Sequence, residues 1–575
     1  MVTIDVSIED ISKLIGLDKT LSVDDLNDLL TLAIAEVDSD PVGPDENGHT
    51  KIAIEIKTSN RPDFWSAEGI ARVIKGKFGE EGLPDLSVIE SKYEINVNPE
   101  LLTIRPYVAA AVVRGLTFDD FLIKQMIQVQ DKLDFSFGRK RKRTSIGIYN
   151  INMLESPIEY TVVDRKFKFQ PLTFDHDLTV DEIFEKHPKG IEYRHILDDF
   201  KKVPMLIDKN GLVLSMPPII NSNDVGRVTT QTTDVLVETT GYSHQATSQA
   251  LSVIVQTLRD RGGIIESVKI NYPDNYDISI DITPETDPIR FDVNIKDINK
   301  YLGVNFPGKE MVKLLRMRRI EAKVIKDKLT VLLPPWRKDI IHWVDISEEV
   351  AIAADYNSFE PTPVQVITAG KLDKSSDDEN LMRQILIGMG LTEVFNYTLT
   401  SKEVIGELMN REEKWIDSNC IEISNPVNAS YAILRPDLLP LLMKFLSVNT
   451  HNEYPQKIFE TGECVVKDKK KIGTRLMMST VLAGSNETFE TILRILDRVC
   501  VLLGVTYELK NTELNCYIPG RRAIVIIDGI EAGHIGEIHP ELIVKNGIEV
   551  PISALELDLS QISTLNCPVK YTNDI

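Results

Sequence analysis

Cysteine is sparse in this chain: five residues in 575, Cys420, Cys464, Cys500, Cys516 and Cys567, with no C-x-x-C pair among them. That spacing excludes a zinc ribbon, a zinc finger and a dense disulfide framework, and it suits structural thiols in a reducing compartment. The nine histidines are scattered and form neither ligand nor relay spacing. No run of eighteen apolar residues occurs, and "MVTIDVSIEDISKLIGL" lacks the basic, apolar and small-residue succession of a leader. A cytoplasmic chain with no membrane contact is therefore expected. There is no repeat of fixed period and no low-complexity tract. Positive charge is also short, with 65 Lys and Arg against 87 Asp and Glu, a net charge of −22. That balance argues against a protein that coats nucleic acid indiscriminately, while leaving room for one basic patch on an acidic body.

What is present is an ordinary globular composition, 42% hydrophobic and 26% charged, at a length that implies about four domains. Residues 1–95 alternate strand and helix spacing and read as a compact α+β unit. Its polar, Pro-containing end, "EEGLPDLSVIESKYEINVNPE", reads as an exit linker. Residues 96–275 mix strand-like runs ("YVAAAVVRGL", "IEYTVVD", "KFKFQPLTF") with amphipathic helices near "DDFLIKQMIQVQDKLDF" and "TSQALSVIVQTLRDRG". Inside them, five consecutive cations run from Arg139 to Arg143. Most such runs are solvated loops, but on this acidic background they are the best candidate for a phosphate contact. Residues 276–357 form a smaller helical or winged module, and 358–575 a last domain rich in strands.

"WRKDIIHWVDISEEV" puts Asp339, Asp345, Glu348 and Glu349 within eleven positions. Two readings stand side by side. Asp345 with Glu348 fits a capping box at the start of a helix. Asp345, Glu348 and Glu349, at i, i+3 and i+4, also share a face on which a hard cation such as Mg²⁺ or Ca²⁺ could sit.

Several stretches resemble, in order and over nearly the whole length, the β subunit of phenylalanyl-tRNA synthetase in its shorter archaeal and eukaryotic form. They are "SNRPDFWSAEGIAR", "PPIINS" with "TTDVLVETTG", "PPWRKDIIHWVDISEEVA", "GLTEVFNYTLTS", "NPVNASYAILRPDLLPLLMKFLSVN", and "GEIHPELI" with "ALELDL". The oligonucleotide-binding and anticodon-binding modules of the bacterial form are absent. The resemblance implies an α+β multidomain fold: an N-terminal domain, an editing and tRNA-binding domain over 96–275, a small Mg²⁺-binding module, and a degenerate antiparallel core like that of a class II synthetase. It implies that Asp339, Asp345, Glu348 and Glu349 bind Mg²⁺ near a contact with an α subunit. Activation of phenylalanine with ATP would then lie on that α subunit, in an (αβ)₂ heterotetramer acting on tRNA(Phe). The C-terminal "ISALELDLSQISTLNCPVKYTNDI" supplies neither the glycines nor the arginine of an active core, and Arg435 and Glu460, at positions like those of active cores, read as structural salt-bridge or dimer-interface residues.

A phenylalanine pocket rejects an added hydroxyl only about a hundredfold, so a second site that hydrolyses Tyr-tRNA(Phe) is physically expected. Taken alone, Glu238, Ser215 and Thr240 are polar strand residues of the kind that usually face solvent. The family match instead places Leu206, Ser215, Asn221, Glu238 and Thr240 in an editing pocket, with Glu238 accepting from the phenol and Gly241 allowing close backbone approach. No Cys, Ser–His pair or zinc pattern accompanies them, which implies attack by positioned water. His244 reads as a surface helix-start residue first and a substrate contact second, and Asn150 stands where the resemblance implies an acid in many relatives. The alternatives are a freestanding hydrolase of mischarged tRNA and a non-catalytic RNA-binding scaffold.

Overall fold

Alternating apolar residues in "KIAIEI" make Lys51–Ile56 the middle strand of an antiparallel sheet, between Val2–Ser7 and Ala35–Val37. Ile52, Ile54 and Ile56 pack with the apolar faces of the helices Ile8–Ile15 and Ala67–Lys75. Each of these helices starts on a serine, Ser7 or Ser66, whose hydroxyl accepts a first-turn N–H. This computed structural model describes residues 2–364, 366, 368–468, 471–565 and 570–571. Cys567 lies outside the described residues. Contacts divide the chain into two units, 1–362 and 363–575.

Within the first unit, the small sheet shares one continuous core with the helix His244–Asp260 and one face of a ten-stranded sheet. Arg261, just past that helix, ties them together by donating to both Asp10 oxygens (2.6 and 2.7 Å) and to Glu68. The large sheet runs in the order Ile220–Asn221, Val213–Met216, Lys202–Ile207, Ile158–Asp164, Ile89–Val97, Ile264–Asn271, Tyr107–Arg114, Val235–Gly241, Thr144–Asn150, with Ile280–Thr283 paired to Ile264–Asn271. It curls, for Tyr149 on one end strand reaches Ser215 near the other end, 2.8 Å away.

Two expectations change here. Ile89–Val97, inside the stretch read as a linker, is an interior strand parallel to both of its neighbours, Ile158–Asp164 and Ile264–Asn271. Only its second half, with Tyr93, Ile95 and Val97, turns apolar residues inward, so its charged first half masked it. The expected boundary at 95/96 falls inside this strand. "KFKFQPLTF" yields only the two-residue strand Lys168–Phe169; Pro171 just beyond has no N–H to continue a ladder.

A third sheet (Ile289–Asn294, Lys328–Leu333, Glu321–Ile325) packs with the helices Ile295–Leu302, Gly308–Met317 and Trp343–Ala354 around Val331, Leu315 and Val350. The second unit, by itself, is built on an eight-stranded sheet whose long hairpin Gln456–Asp468 and Lys471–Ala483 pairs with Ile552–Asp558. Helices Lys374–Gly388 and Phe489–Leu503 contribute to its apolar core. Cys420, Cys464 and Cys500 are buried, and burial raises the thiols of Cys420 and Cys500 to about 11 and that of Cys516 to about 12. They are inert at neutral pH. Among the described residues no helix is long and apolar enough to cross a membrane.

Candidate functional site

Strand Val235–Gly241 is flanked on both sides, by Tyr107–Arg114 and by Thr144–Asn150, so Glu238 is enclosed within a sheet and only 2% exposed. Directly across the ladder stands Gly147, and a Cβ there would lie 2.0 Å from the Tyr149 hydroxyl and 2.6 Å from Glu238 Oε2. The missing side chain leaves room for that hydroxyl to donate to Glu238 Oε2 at 2.7 Å. Glu238 Oε1 makes no hydrogen bond. Burial pushes the Glu238 carboxyl up to about 7, against the pull of the Tyr149 hydrogen bond and the charge of Arg105.

Thr240, two residues along the same face, accepts from Arg105 Nε at 2.8 Å, and Arg105 Nη2 donates to the Thr240 carbonyl and to Ser145 Oγ. Arg105 is itself fully buried. Leu206 is buried opposite both Ser215 and Tyr160. Thus Glu238, Ser215, Thr240 and Leu206 share the inner side of the curled sheet. Asn221 pairs with Ser215 across the ladder and lines a cavity of about 700 Å³ whose lining includes none of Glu238, Ser215, Thr240 or Leu206. A Cβ at Gly241 would meet the Arg143 carbonyl at 2.5 Å and Thr247 Oγ1 at 2.6 Å, so its close approach is to its own chain. His244 opens its helix and pairs with Asp281, which raises its pKa. Asn150 caps the turn after its strand by accepting from the Asn152 N–H. That local role suits the short amide.

The four acids near residue 345 part company. Glu349 is 5% exposed and bound by three arginines: Oε1 accepts from Arg337 (2.6 Å) and Arg61 (3.4 Å), Oε2 from Arg318 (2.8 Å). Burial opposes its charge, yet Arg318, Arg337 and Arg61 outweigh that and hold it far below the usual carboxylate range. Asp339 pairs with Arg337, and Asp63 with Arg61. Asp345 is not the N-cap: His342 is, and Asp345 Oδ2 reaches back to the Ile341 and His342 N–H groups, both at 2.8 Å. The capping box therefore exists three residues earlier than the sequence reading put it. Glu348 is exposed, and its pKa is raised by partial burial and by the nearby charges of Glu349 and Asp345. Among the described residues, no three His, Cys, Asp or Glu side chains converge closely enough to hold a metal ion.

Comparison with known proteins is consistent from end to end. The phenylalanine–tRNA ligase beta subunit of Pyrococcus abyssi is 41% identical over 559 residues, covering 96% of this chain and 98% of that one. The chain belongs to the phenylalanine–tRNA ligase beta-subunit family. The beta subunit of Thermococcus kodakarensis is 39% identical, covering 97% of this chain and 99% of the relative. The tRNA synthetase B5 domain matches residues 291–356, and the phenylalanyl tRNA synthetase beta chain CLM domain matches 360–559. Among solved structures, an N-terminal fragment of the Pyrococcus horikoshii beta subunit superposes with a TM-score of 0.59 at 40% identity, covering 61% of this chain and 99% of the fragment.

Within this beta subunit, sequence reasoning missed Tyr149, Arg105 and Gly147 on the inner wall, and Arg61, Arg318 and Arg337 around Glu349. The signal for the second group was available. Two of the quoted motifs, "SNRPDF" and "PPWRKDIIHWVDISEEVA", each pair an Arg with an Asp two residues on, and the fold brings them to one glutamate. In the second unit Arg435 forms a buried ion pair with Glu460, which also accepts from Asn396.

Proposed function

We propose that this subunit, besides serving phenylalanine–tRNA ligation with an α partner, carries the site that hydrolyses Tyr-tRNA(Phe). The observation that supports it most is Glu238 Oε1, buried without a hydrogen-bond partner beside Tyr149 and Arg105, whose own polar groups are paired. An acceptor left without a donor favours a ligand that brings one. The tyrosine phenol supplies that O–H and phenylalanine does not, and a site built around a hydrogen bond rejects the analogue lacking it far better than an apolar pocket rejects an extra group. Water is the nucleophile in this reading, cleaving the ester between the tyrosyl carbonyl and the ribose. Ser215 and Thr240 hold the wall around Glu238 through Tyr149 and Arg105.

Activation of phenylalanine with ATP belongs, in the same reading, to the α subunit of an (αβ)₂ assembly in the cytoplasm. In the second unit, proposed to be a degenerate class II-like core within 358–575, Arg435 is bound to Glu460, which leaves that guanidinium uncommitted to ATP phosphates. The Mg²⁺ expectation narrows. Asp339 and Glu349 are saturated by arginines whose positive charge repels a divalent cation, so the four acids do not fit one coordination sphere. Asp345, with one oxygen outside its cap, and exposed Glu348 remain as ligands for an ion that completes its octahedron with water or a partner's oxygen.

Hydrolysis of Tyr-tRNA(Phe) by the chain co-purified with its α partner, wild type against Glu238→Ala, tests the site. Loss of hydrolysis with phenylalanine charging intact is the expected result; equal hydrolysis in both removes Glu238 from it.

A further inference from the structure

Five arginines from three stretches of chain line one small cavity of about 20 Å³ in the first unit. Arg61 and Arg72 come from the N-terminal stretch, Arg318 and Arg319 follow the helix Gly308–Met317, and Arg337 follows the strand Lys328–Leu333. Val73, Pro334 and Trp336 give the wall its apolar part, and among the described residues Asp63 is the only carboxylate in the lining. A group of like charges this dense and this buried needs compensation.

Most of it is accounted for. Arg61 gives Nε and Nη2 to the two oxygens of Asp63, at 2.9 and 2.8 Å. Arg72 pairs with Asp260 at 2.6 Å, and Arg337 divides between Asp339 and Glu349. Arg318 gives Nε to Glu349 and Nη1 to the Leu32 carbonyl, but its Nη2 is buried without a hydrogen-bond partner. Arg319 donates to the Glu80 carbonyl and meets the Glu80 carboxylate only at 3.8 Å, and its Nε is likewise buried without a partner. Arg319 also has left-handed backbone (φ 61°), at a helix end where glycine is the usual occupant. Burial lowers the pKa of both guanidinium groups, and neighbouring arginines push the same way: Arg61 and Arg337 on Arg318, Arg72 on Arg319.

We propose that this cavity is a binding site for a monatomic anion, chloride in the cell, held chiefly by Arg318 and Arg319. Size sets the class of ligand. A water requires about 10–15 Å³, so this volume admits one guest of that order and excludes phosphate, sulfate or a carboxylate. Charge separates the halide from water. Guanidinium nitrogens donate and never accept, and both oxygens of Asp63 are already engaged by Arg61. A water placed there would turn its own hydrogens toward cations, whereas a halide accepts from every side and offsets the surplus charge. The ion would tie Arg72 of the helix Ala67–Lys75 to Arg318 and Arg319 of the neighbouring module, making the junction between them sensitive to the anion supplied. This site is independent of the editing reading.

The test uses the chain co-purified with its α partner, in EDTA so that no divalent cation contributes. Chloride is exchanged against gluconate, an anion too large for the cavity, at constant ionic strength so that screening is the same throughout. The melting temperature should rise with chloride, and each tenfold increase beyond half-saturation should add the same increment. A crystal grown in bromide should show an anomalous peak beside Arg318 and Arg319. Val73→Leu adds a methylene to the wall, leaves every charge in place, and should abolish both the increment and the peak. If that variant fails to fold, Arg319→Gln, which lies outside the Glu349 ion pairs, should abolish the increment in its place. A melting temperature indifferent to chloride overturns the site, even with a bromide peak, which would then mark an ion bound only at crystal concentration. A chloride increment with no peak in the cavity, or one that survives in the folded variant, places the anion elsewhere and overturns it as well.

Discussion

Two buried glutamates divide the chemistry of the first unit between them. Glu238 and Glu349 are 2% and 5% exposed, and burial works against the charge of both. Glu349 meets three guanidinium groups and stays ionised far below the usual range; Glu238 meets a phenol and rises to about 7. Partner chemistry, and not depth, sets the state of each carboxylate. The first is spent on structure, since it joins residues 61, 318 and 337 from three stretches of chain. The second keeps an oxygen without a hydrogen-bond partner, which under the proposed editing role is what it offers a substrate.

The sharpest way to break the comparison is Glu349→Gln. Three arginines would then share two aspartates, and removing one side of a buried ion pair costs about 3–5 kcal/mol. Urea unfolding followed by the fluorescence of the buried Trp65 and Trp336 should read that loss. A cost under about 1 kcal/mol would mean that the cluster is solvated and that the contrast with Glu238 fails.

Next in size is pH. The folded pKa of Glu238 lies above its ordinary 4.5, so between pH 4.5 and about 7 the native state holds a proton that the unfolded state has released. Stability on its account therefore falls as pH rises through that window, by about 3 kcal/mol from end to end. Asp134, which burial also raises to about 7, moves the same way. Glu349 has the opposite sign: its contribution is complete above 4.5 and is lost as pH falls toward its depressed pKa. Glu238→Gln should flatten the neutral-side slope and leave the acid-side loss in place; equal slopes in parent and variant would remove Glu238 as a raised carboxyl.

How much of this was legible follows from range of interaction. Strands such as Lys51–Ile56 and helices such as His244–Asp260 carry their periodicity in a few neighbouring residues, and reading the sequence finds them. Ile89–Val97 hid because its first half carries charge and only its neighbours in the sheet bury the rest. Family motifs pointed to Glu238, Ser215 and Thr240, yet not to Tyr149 or Arg105, whose roles exist only once strands distant in sequence lie side by side. The capping box was misplaced for a local reason: His342 is an unusual N-cap, and Asp345 fits the pattern both as cap and as the third helical residue.

Gly147→Ala sharpens the Glu238 side. Its new Cβ would overlap the Tyr149 hydroxyl and crowd Glu238, and overpacking of this kind costs about 1–3 kcal/mol. If Tyr149 swings away to relieve it, Glu238 loses its donor and Tyr-tRNA hydrolysis should fall along with stability. Stability lost with hydrolysis untouched would separate the wall from the chemistry.

The smallest effect is expected at Glu348, and it decides the metal. Exposed and without an ion-pair partner among the described residues, Glu348→Gln should change stability by less than about 0.5 kcal/mol in EDTA. Any ion held by Asp345 and Glu348 stabilises in proportion to its saturation, so the parent should melt higher in Mg²⁺ than in EDTA while the variant loses that increment. Glu349→Gln, by contrast, should melt lower in both media with the Mg²⁺ increment retained. If the increment vanishes in Glu349→Gln and survives in Glu348→Gln, the arginine cluster opens to bind the ion, and the division between a structural and an available carboxylate runs through Glu349 itself.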